Sequence, residues 1–198
     1  MATSAEGWAF RDNRAMATWT CRLAWLQAAL AGFTLATILL GITTPLPLIW
    51  LLAFVIGGIF GFRWLYIANG NARAMGALDL MGGPVMAIIW YFIPIANLGM
   101  PYVVMRDLWR ASAKPRDWQG QSTPPLLILW WTCWLIFYLG LSAAGNFAAE
   151  ESMDLAPVVG IALIVACAGF IPAALLFAKV VDSIQRLQDE NGPAQLFR

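Results

Sequence analysis

The sequence predicts an all-α, polytopic membrane protein: four transmembrane helices plus a proline-broken helical segment that is re-entrant or interfacial. Three observations lead there. The 198 residues are 61% hydrophobic and 12% charged, with a mean hydropathy of +0.70, whereas charged residues make up about a quarter of an ordinary soluble domain. The charges are also clustered, leaving four stretches with none: between Arg22 and Arg63, Asp79 and Arg106, Asp117 and Glu150, and Asp154 and Lys179. Finally, the division of Lys and Arg between the two sides separates segments that cross from segments that do not.

A spanning helix needs about 20 apolar residues, because the hydrocarbon core is about 30 Å thick and each helical residue rises about 1.5 Å. The first uncharged stretch has room for two such helices, parted by Thr43-Thr44-Pro45-Leu46-Pro47, where the prolines break a helix and a hairpin turn falls. Spans are therefore expected over 23–42 and 48–68. The first follows Arg11, Arg14 and Arg22, but its apolar run is too long for a signal peptide and no small-residue cleavage pattern follows it, so it reads as a retained anchor. A third span is expected over 126–147 and a fourth over 157–177. The tail from Lys179 should continue the last helix outward as far as Glu190, ending at Asn191-Gly192-Pro193. Neither the 106–124 loop nor the 179–198 tail has the length of a soluble domain, so residues 1–198 read as a single integral membrane domain.

The remaining apolar stretch, 84–105, is interrupted by Pro94 and Pro101. If it crossed, five cationic residues would fall on one side and seven on the other, with no bias among the 12. If it turns back, all 12 share one side, opposite the neutral Pro45–Pro47 turn and the acidic Glu150-Glu151-Ser152-Met153-Asp154 loop. The positive-inside rule selects the second path and places both termini in the cytoplasm. Two arms of about nine residues reach about 13 Å each, half the core, which suits a re-entrant hairpin; a kinked helix in the headgroup zone suits the sequence equally. The second arm should emerge as a helix in which Asp107 pairs with Arg110 at spacing three.

Reactive chemistry is sparse. There is no histidine, which removes the usual haem and zinc ligands and the Ser/His and Cys/His nucleophilic pairs. No Asp or Glu lies mid-span, which argues against a carboxylate proton relay. Glu150 and Glu151 read as a solvated loop rather than an intramembrane catalytic pair. Cys21, Cys133 and Cys167 form neither a disulfide framework nor a metal-ligand spacing. A net charge of +1 offers no basic surface for nucleic acid. The expectation is no cofactor, no metal site and no enzymatic activity.

Four polar residues stand out as ligand-binding candidates. Arg63 sits inside the end of the second span, where it either snorkels or pairs with Asp79, or else meets an anion or lipid headgroup. Asn97 follows the Pro94 break; its amide either satisfies the turn's own backbone or faces a ligand. With Asn71, these residues would form a cytoplasm-facing pocket. Gly57 with Gly61, Gly140 with Ala144 and Gly169 with Ala173 are small-x-x-x-small pairs suited to close helix packing, within the bundle more than between copies. Six tryptophans, Trp19, Trp25, Trp64, Trp109, Trp118 and Trp130, lie near span boundaries and read as an interfacial belt.

The motifs Trp64-Leu65-Tyr66, Asn71, Gly76, Trp90-Tyr91-Phe92-Ile93-Pro94-Ile95-Ala96-Asn97-Leu98, Pro101, Met105-Arg106-Asp107-Leu108-Trp109-Arg110-Ala111-Ser112 and Trp130-Trp131 together resemble the bacterial membrane family known as domain of unknown function 4328. The resemblance implies a multi-pass protein of the bacterial cytoplasmic (inner) membrane and brings no activity, substrate or catalytic residue with it. The expected roles are a non-catalytic subunit or adaptor that meets a protein partner in the bilayer, or a binder or conduit for a lipid or small amphiphile through the broken helix at Pro94–Pro101.

Overall fold

The computed structural model describes residues 7–149 and 156–192, and every regular element within them is helical. Four helices are long and apolar enough to cross a membrane: α1 (Arg14–Leu39), α2 (Leu46–Ala74), α5 (Pro125–Ala148) and α6 (Ala156–Asn191). The chain between α2 and α5 forms α3 (Pro84–Ile89), a single 3-10 turn at Ala96–Leu98, and α4 (Met100–Ala113). The acidic 150–154 loop lies outside the described residues.

Several helices outlast their apolar runs. α1 begins at Arg14 rather than near residue 23, α2 continues past 68 to Ala74, and α6 runs unbroken to Asn191. These extensions keep burying one face against each other: Ala68, Ala72, Val180, Val181 and Ile184 are all buried. Packing, rather than hydropathy, sets where the helices stop.

Around the bundle the order is α2, α1, α6, α5. The α5–α6 seam is the tightest. A Cβ on Gly169 would lie 2.6 Å from the Phe137 amide nitrogen and 2.9 Å from the Cys133 carbonyl oxygen; one on Gly140 would lie 2.8 Å from the Ala166 nitrogen. Ala144 and Ala173 extend the seam and are buried, so the backbones touch within one chain. The α1–α2 seam works differently. The buried Gln27 amide donates to the Ala53 carbonyl at 3.0 Å, and a Cβ on Gly57 would overlap that amide. Gly57 makes room for a polar crosslink, and Gly61 packs loosely, with Phe177 and Thr20 at 3.9 Å from its Cβ position.

One end of the bundle carries a polar lock. The fully buried Gln188 donates to the Ala68 carbonyl (2.8 Å) and the Ser112 hydroxyl (3.1 Å) and accepts from Asn71 (3.4 Å). Asn71 also pairs with both the N–H and the C=O of Arg11, at 2.8 Å each. Asn13 donates to the Trp64 carbonyl at 3.0 Å, and Asn191 to that of Ser112 at 3.0 Å. The N-terminal segment and the C-terminal ends of α2, α4 and α6 thus meet at one place. The 75–83 loop is tied to the same end, since Arg73 donates to the carbonyls of Leu80 and Gly82, and Trp118 to that of Leu78 (2.8 Å). Its sharp turn uses left-handed backbone at Asp79 (φ 60°) and Gly76 (φ 100°), where Asp and Gly are the residues that tolerate positive φ.

Residues 84–113 therefore enter and leave at the same end of the bundle, as a hairpin. Its tip goes deep: the Tyr91 and Phe92 rings meet Phe62 at 5.3 and 5.5 Å, about 18 Å along α2 from its C-terminus at 1.5 Å per residue. Trp131 of α5 fixes the other flank by donating to the Leu98 carbonyl at 3.2 Å. The described Lys and Arg residues all occupy the half of the bundle that holds the lock, with Arg22 early in α1 and Arg63 and Lys179 late in α2 and α6.

Two expectations need correction. Asp107 pairs with its neighbour Arg106 at 2.8 Å, not with Arg110. The carboxylate lies on the buried face of α4, and Arg106 is the cation that reaches it from the rim, while Arg110 Nε is buried with no hydrogen-bond partner among the described residues. Trp64 and Trp130 do not belong to an interfacial belt. Both are buried, and both pack on Phe177, Trp130 stacked at 5.7 Å and Trp64 edge-on at 6.5 Å. Trp19 and Trp25 are exposed at their helix surface, and Trp19 carries the Arg22 guanidinium 5.3 Å over its ring.

Candidate functional site

α2 and α5 do not pack side by side along their length; aromatic side chains fill the interval between them. Phe54 of α2 lies parallel to Trp134 of α5, with centroids 6.2 Å apart and planes at 10°. Trp50 sits edge-on to Phe170 at 5.0 Å and to Phe137 at 6.0 Å. Large rings face small residues here: Ala24, Gly57, Gly58 and Gly61 on one side, Ala173 and Ala174 on the other. The mismatch leaves a cavity of about 440 Å³ among α1, α2, α5 and α6. It follows α2 from Trp50 to Leu65, about 22 Å at the helical rise. The hairpin borders one end with Tyr91, Phe92 and Asn97, and Leu51 and Phe92, both largely exposed, mark where the cavity meets the outside.

The lining contains no Asp, Glu, Lys or Arg. Of its polar side chains, Gln27 donates to the Ala53 carbonyl, while Thr20 Oγ1, Trp50 Nε1, Trp64 Nε1 and Asn97 Oδ1 are buried without a hydrogen-bond partner among the described residues. Thr20 is 2% exposed and Trp64 is 0% exposed, so water from the surface does not serve them. Buried polar groups are almost always paired; four of the ten unpartnered atoms among the described residues belong to residues that border this cavity.

Of the four candidates from sequence, Asn97 lines the cavity. The turn satisfies itself through its main chain, with the Asn97 N–H donating to the Ile93 carbonyl at 2.7 Å, which leaves the side-chain oxygen unpartnered at the wall. Asn71 belongs to the polar lock. Arg63 and Asp79 are exposed and form no ion pair with each other. The expected four-residue pocket is not assembled, because the turn carrying Asp79 is held down by Arg73 and the charge of Arg63 points off the bundle.

Sequence reasoning missed Thr20, Gln27, Trp50, Phe54, Trp134 and Phe170. A signal was present in the facing of Gly57, Gly58 and Gly61 against ring stripes at helical spacing, Trp50 with Phe54 and Trp130 with Trp134 and Phe137. Among the described residues no cluster of His, Cys, Asp or Glu is placed to hold a metal ion, and the three cysteines are free.

A family profile with the description "Domain of unknown function (DUF4328)" matches residues 41–186, which takes in α2 through most of α6 and thus much of the cavity wall. No curated protein and no solved structure matches the chain.

Proposed function

We propose that this chain, which belongs to the family described as Domain of unknown function (DUF4328), is a non-catalytic membrane protein that takes a lipid or other small amphiphile into the cavity among α1, α2, α5 and α6. The observation that carries this reading is the cavity itself, with apolar, largely aromatic walls and no charged residue in its lining. The cavity opens outward beside the exposed Leu51 and Phe92, so in a bilayer the available filler is a chain of lipid character.

The same reading places the hairpin as a re-entrant floor. Its tip exposes Phe92, Ile95 and Leu98 outward, an apolar surface suited to hydrocarbon, and is anchored on its inner side by Phe62 of α2 and Trp131 of α5. The gathering of described cations in one half of the bundle supports a cytoplasmic lock end, with both termini on that side of a bacterial inner membrane. A subunit or adaptor role draws on the apolar exterior alone, which a bilayer already accounts for; the cavity favours the binder.

The test is cavity blockade. Gly58 lines the cavity, and a Cβ there meets nothing within 4 Å, so the side chain of Gly58→Phe starts in open space. Lipid extracted with wild-type protein from native membranes should include a species depleted in Gly58→Phe at equal protein recovery. Identical lipid complements in the two proteins would refute the proposal.

A further inference from the structure

One uncovered helix face carries a pattern that the cavity does not use. α4 buries Val104, Leu108 and Ala111 in helical register. On its opposite face, at spacings of three and four, stand Gly99, Val103, Arg106, Arg110 and Lys114. We propose that this stripe is a site for an anionic phospholipid, which sets its phosphate on Arg106 and Arg110 and lays its acyl chains over Gly99 and Val103.

The level of the stripe points to a lipid. Gln188 donates to both the Ala68 carbonyl and the Ser112 hydroxyl, so those two residues share a level, and α2 and α4 both run toward the lock end. Six positions before them lie Phe62 and Arg106, and Phe62 ends the uncharged stretch that begins after Arg22. Arg106 therefore stands where the apolar part of the bundle stops. Arg110 follows about 6 Å further along the helix, within the headgroup layer of about 5–8 Å that flanks the hydrocarbon core. Below the two arginines the stripe turns apolar. Val103 is half-buried, Gly99 is exposed with nothing within 4 Å of its Cβ position, and Ile95 and Leu98 nearby are exposed. A soluble anion has no use for that lower half.

The upper half suits a phosphate. Arg106 directs Nε and Nη2 to Asp107, which leaves Nη1 accessible and unpartnered among the described residues. Arg110 is held against the protein at its buried Nε, its two terminal nitrogens stay accessible, and it has no carboxylate partner among the described residues. Lys114 pairs with Asp117 on the exposed rim, a kind of contact that contributes little, so its charge adds to the row. Arginines beside one another offer charge-assisted, forked donors to phosphate oxygens. A zwitterionic head carries its own cation and gains less from the row.

The experiment holds the full chain in mixed micelles with equimolar dioleoylphosphatidylglycerol and dioleoylphosphatidylcholine, recovers it, and measures the bound phospholipids by mass spectrometry. Wild type should retain the glycerol lipid severalfold over the choline lipid. Arg110→Gln should lower that ratio about fivefold, the factor set by about 1 kcal/mol per basic residue at a charged membrane surface, and Arg110→Lys should fall between the two. Arg63→Gln removes an exposed cation from α2 and should leave the ratio unchanged. Should Arg110→Gln elute aggregated, Lys114→Gln on the exposed rim carries the same test with a smaller fall, about twofold. An equal fall in Arg63→Gln would mean diffuse surface charge and overturn the site, as would a wild-type ratio in Arg110→Gln. Displacement of the glycerol lipid by inorganic phosphate at matched concentration would assign the stripe to a soluble anion and overturn the lipid. Gly58→Phe, aimed at the cavity, should leave the ratio unchanged, so the two sites stand or fall separately.

Discussion

Substituting alanine at Gly169 probes a backbone-to-backbone contact between α5 and α6. A Cβ there would stand 2.6 Å from the Phe137 nitrogen and 2.9 Å from the Cys133 oxygen. Both are backbone atoms of α5, so relief requires moving a helix rather than rotating a side chain. Such overpacking costs about 1–3 kcal/mol. Any Gly→Ala change inside a helix also gains about 0.5–1 kcal/mol of propensity, and this gain must be subtracted. Gly145, on α5 with nothing within 4 Å of its Cβ position, supplies the control: Gly145→Ala carries the propensity gain without the clash. The stability difference between Gly145→Ala and Gly169→Ala therefore isolates the packing cost, about 2 kcal/mol, or roughly 30-fold in the folding equilibrium. Unfolding in mixed micelles with rising SDS, followed by tryptophan emission, reads this directly. If Gly169→Ala unfolds at the same SDS fraction as Gly145→Ala, the α5–α6 backbone contact does not hold the bundle as described.

The polar lock gives two further expectations. Gln188→Leu removes a donor to the Ala68 carbonyl and to the Ser112 hydroxyl and an acceptor for Asn71, while the Ser112 hydroxyl keeps its bond to the Leu108 carbonyl, and should cost about 1–3 kcal/mol in the same SDS titration; a shift no larger than that of an exposed Gln→Leu change would contradict it. Asn71→Ala frees both main-chain groups of Arg11, so the Arg11 amide should lose its hydrogen-exchange protection while amides in the middle of α5 keep theirs; unchanged exchange at Arg11 would mean that Asn71 does not hold the segment. The proposed threading predicts that, with Cys21, Cys133 and Cys167 replaced by alanine, Thr44→Cys reacts with a membrane-impermeant maleimide added outside intact cells and Lys114→Cys reacts only after the membrane is opened. Labelling of Lys114→Cys from outside would refute a cytoplasmic hairpin base.

The four long helices were legible because an apolar run of fixed length is a property of local sequence, set by bilayer thickness. The proline-broken stretch was legible as a segment apart, since Pro94 and Pro101 break its helix. What local sequence did not carry was partner choice across distance. Asn71 looked like one member of a ligand pocket, yet it pairs with Arg11 and Gln188, sixty and 117 positions away. Trp64 and Trp130 sit at the ends of apolar runs, where a belt is the usual explanation, and they are buried because α6 brings Phe177 between them. Asp107 was matched to the wrong arginine because spacing three places two residues on one helix face without saying which face is covered. The cavity was the hardest feature to foresee: a void is an absence of atoms shared by four helices, and each helix alone shows only ordinary rings and ordinary glycines.

The polar lock has a consequence for biogenesis. Its earliest strut, residues 11–13, leaves the ribosome long before Gln188, and Asn71 waits a further 117 positions for its mate, roughly 6–23 s at about 5–20 residues per second. α1 must wait as well, because much of its packing is with α6, the last helix to be made. Membrane insertion and tertiary closure are thus separate events in this chain, and during the interval between them the half-built bundle stands open to the surrounding lipid.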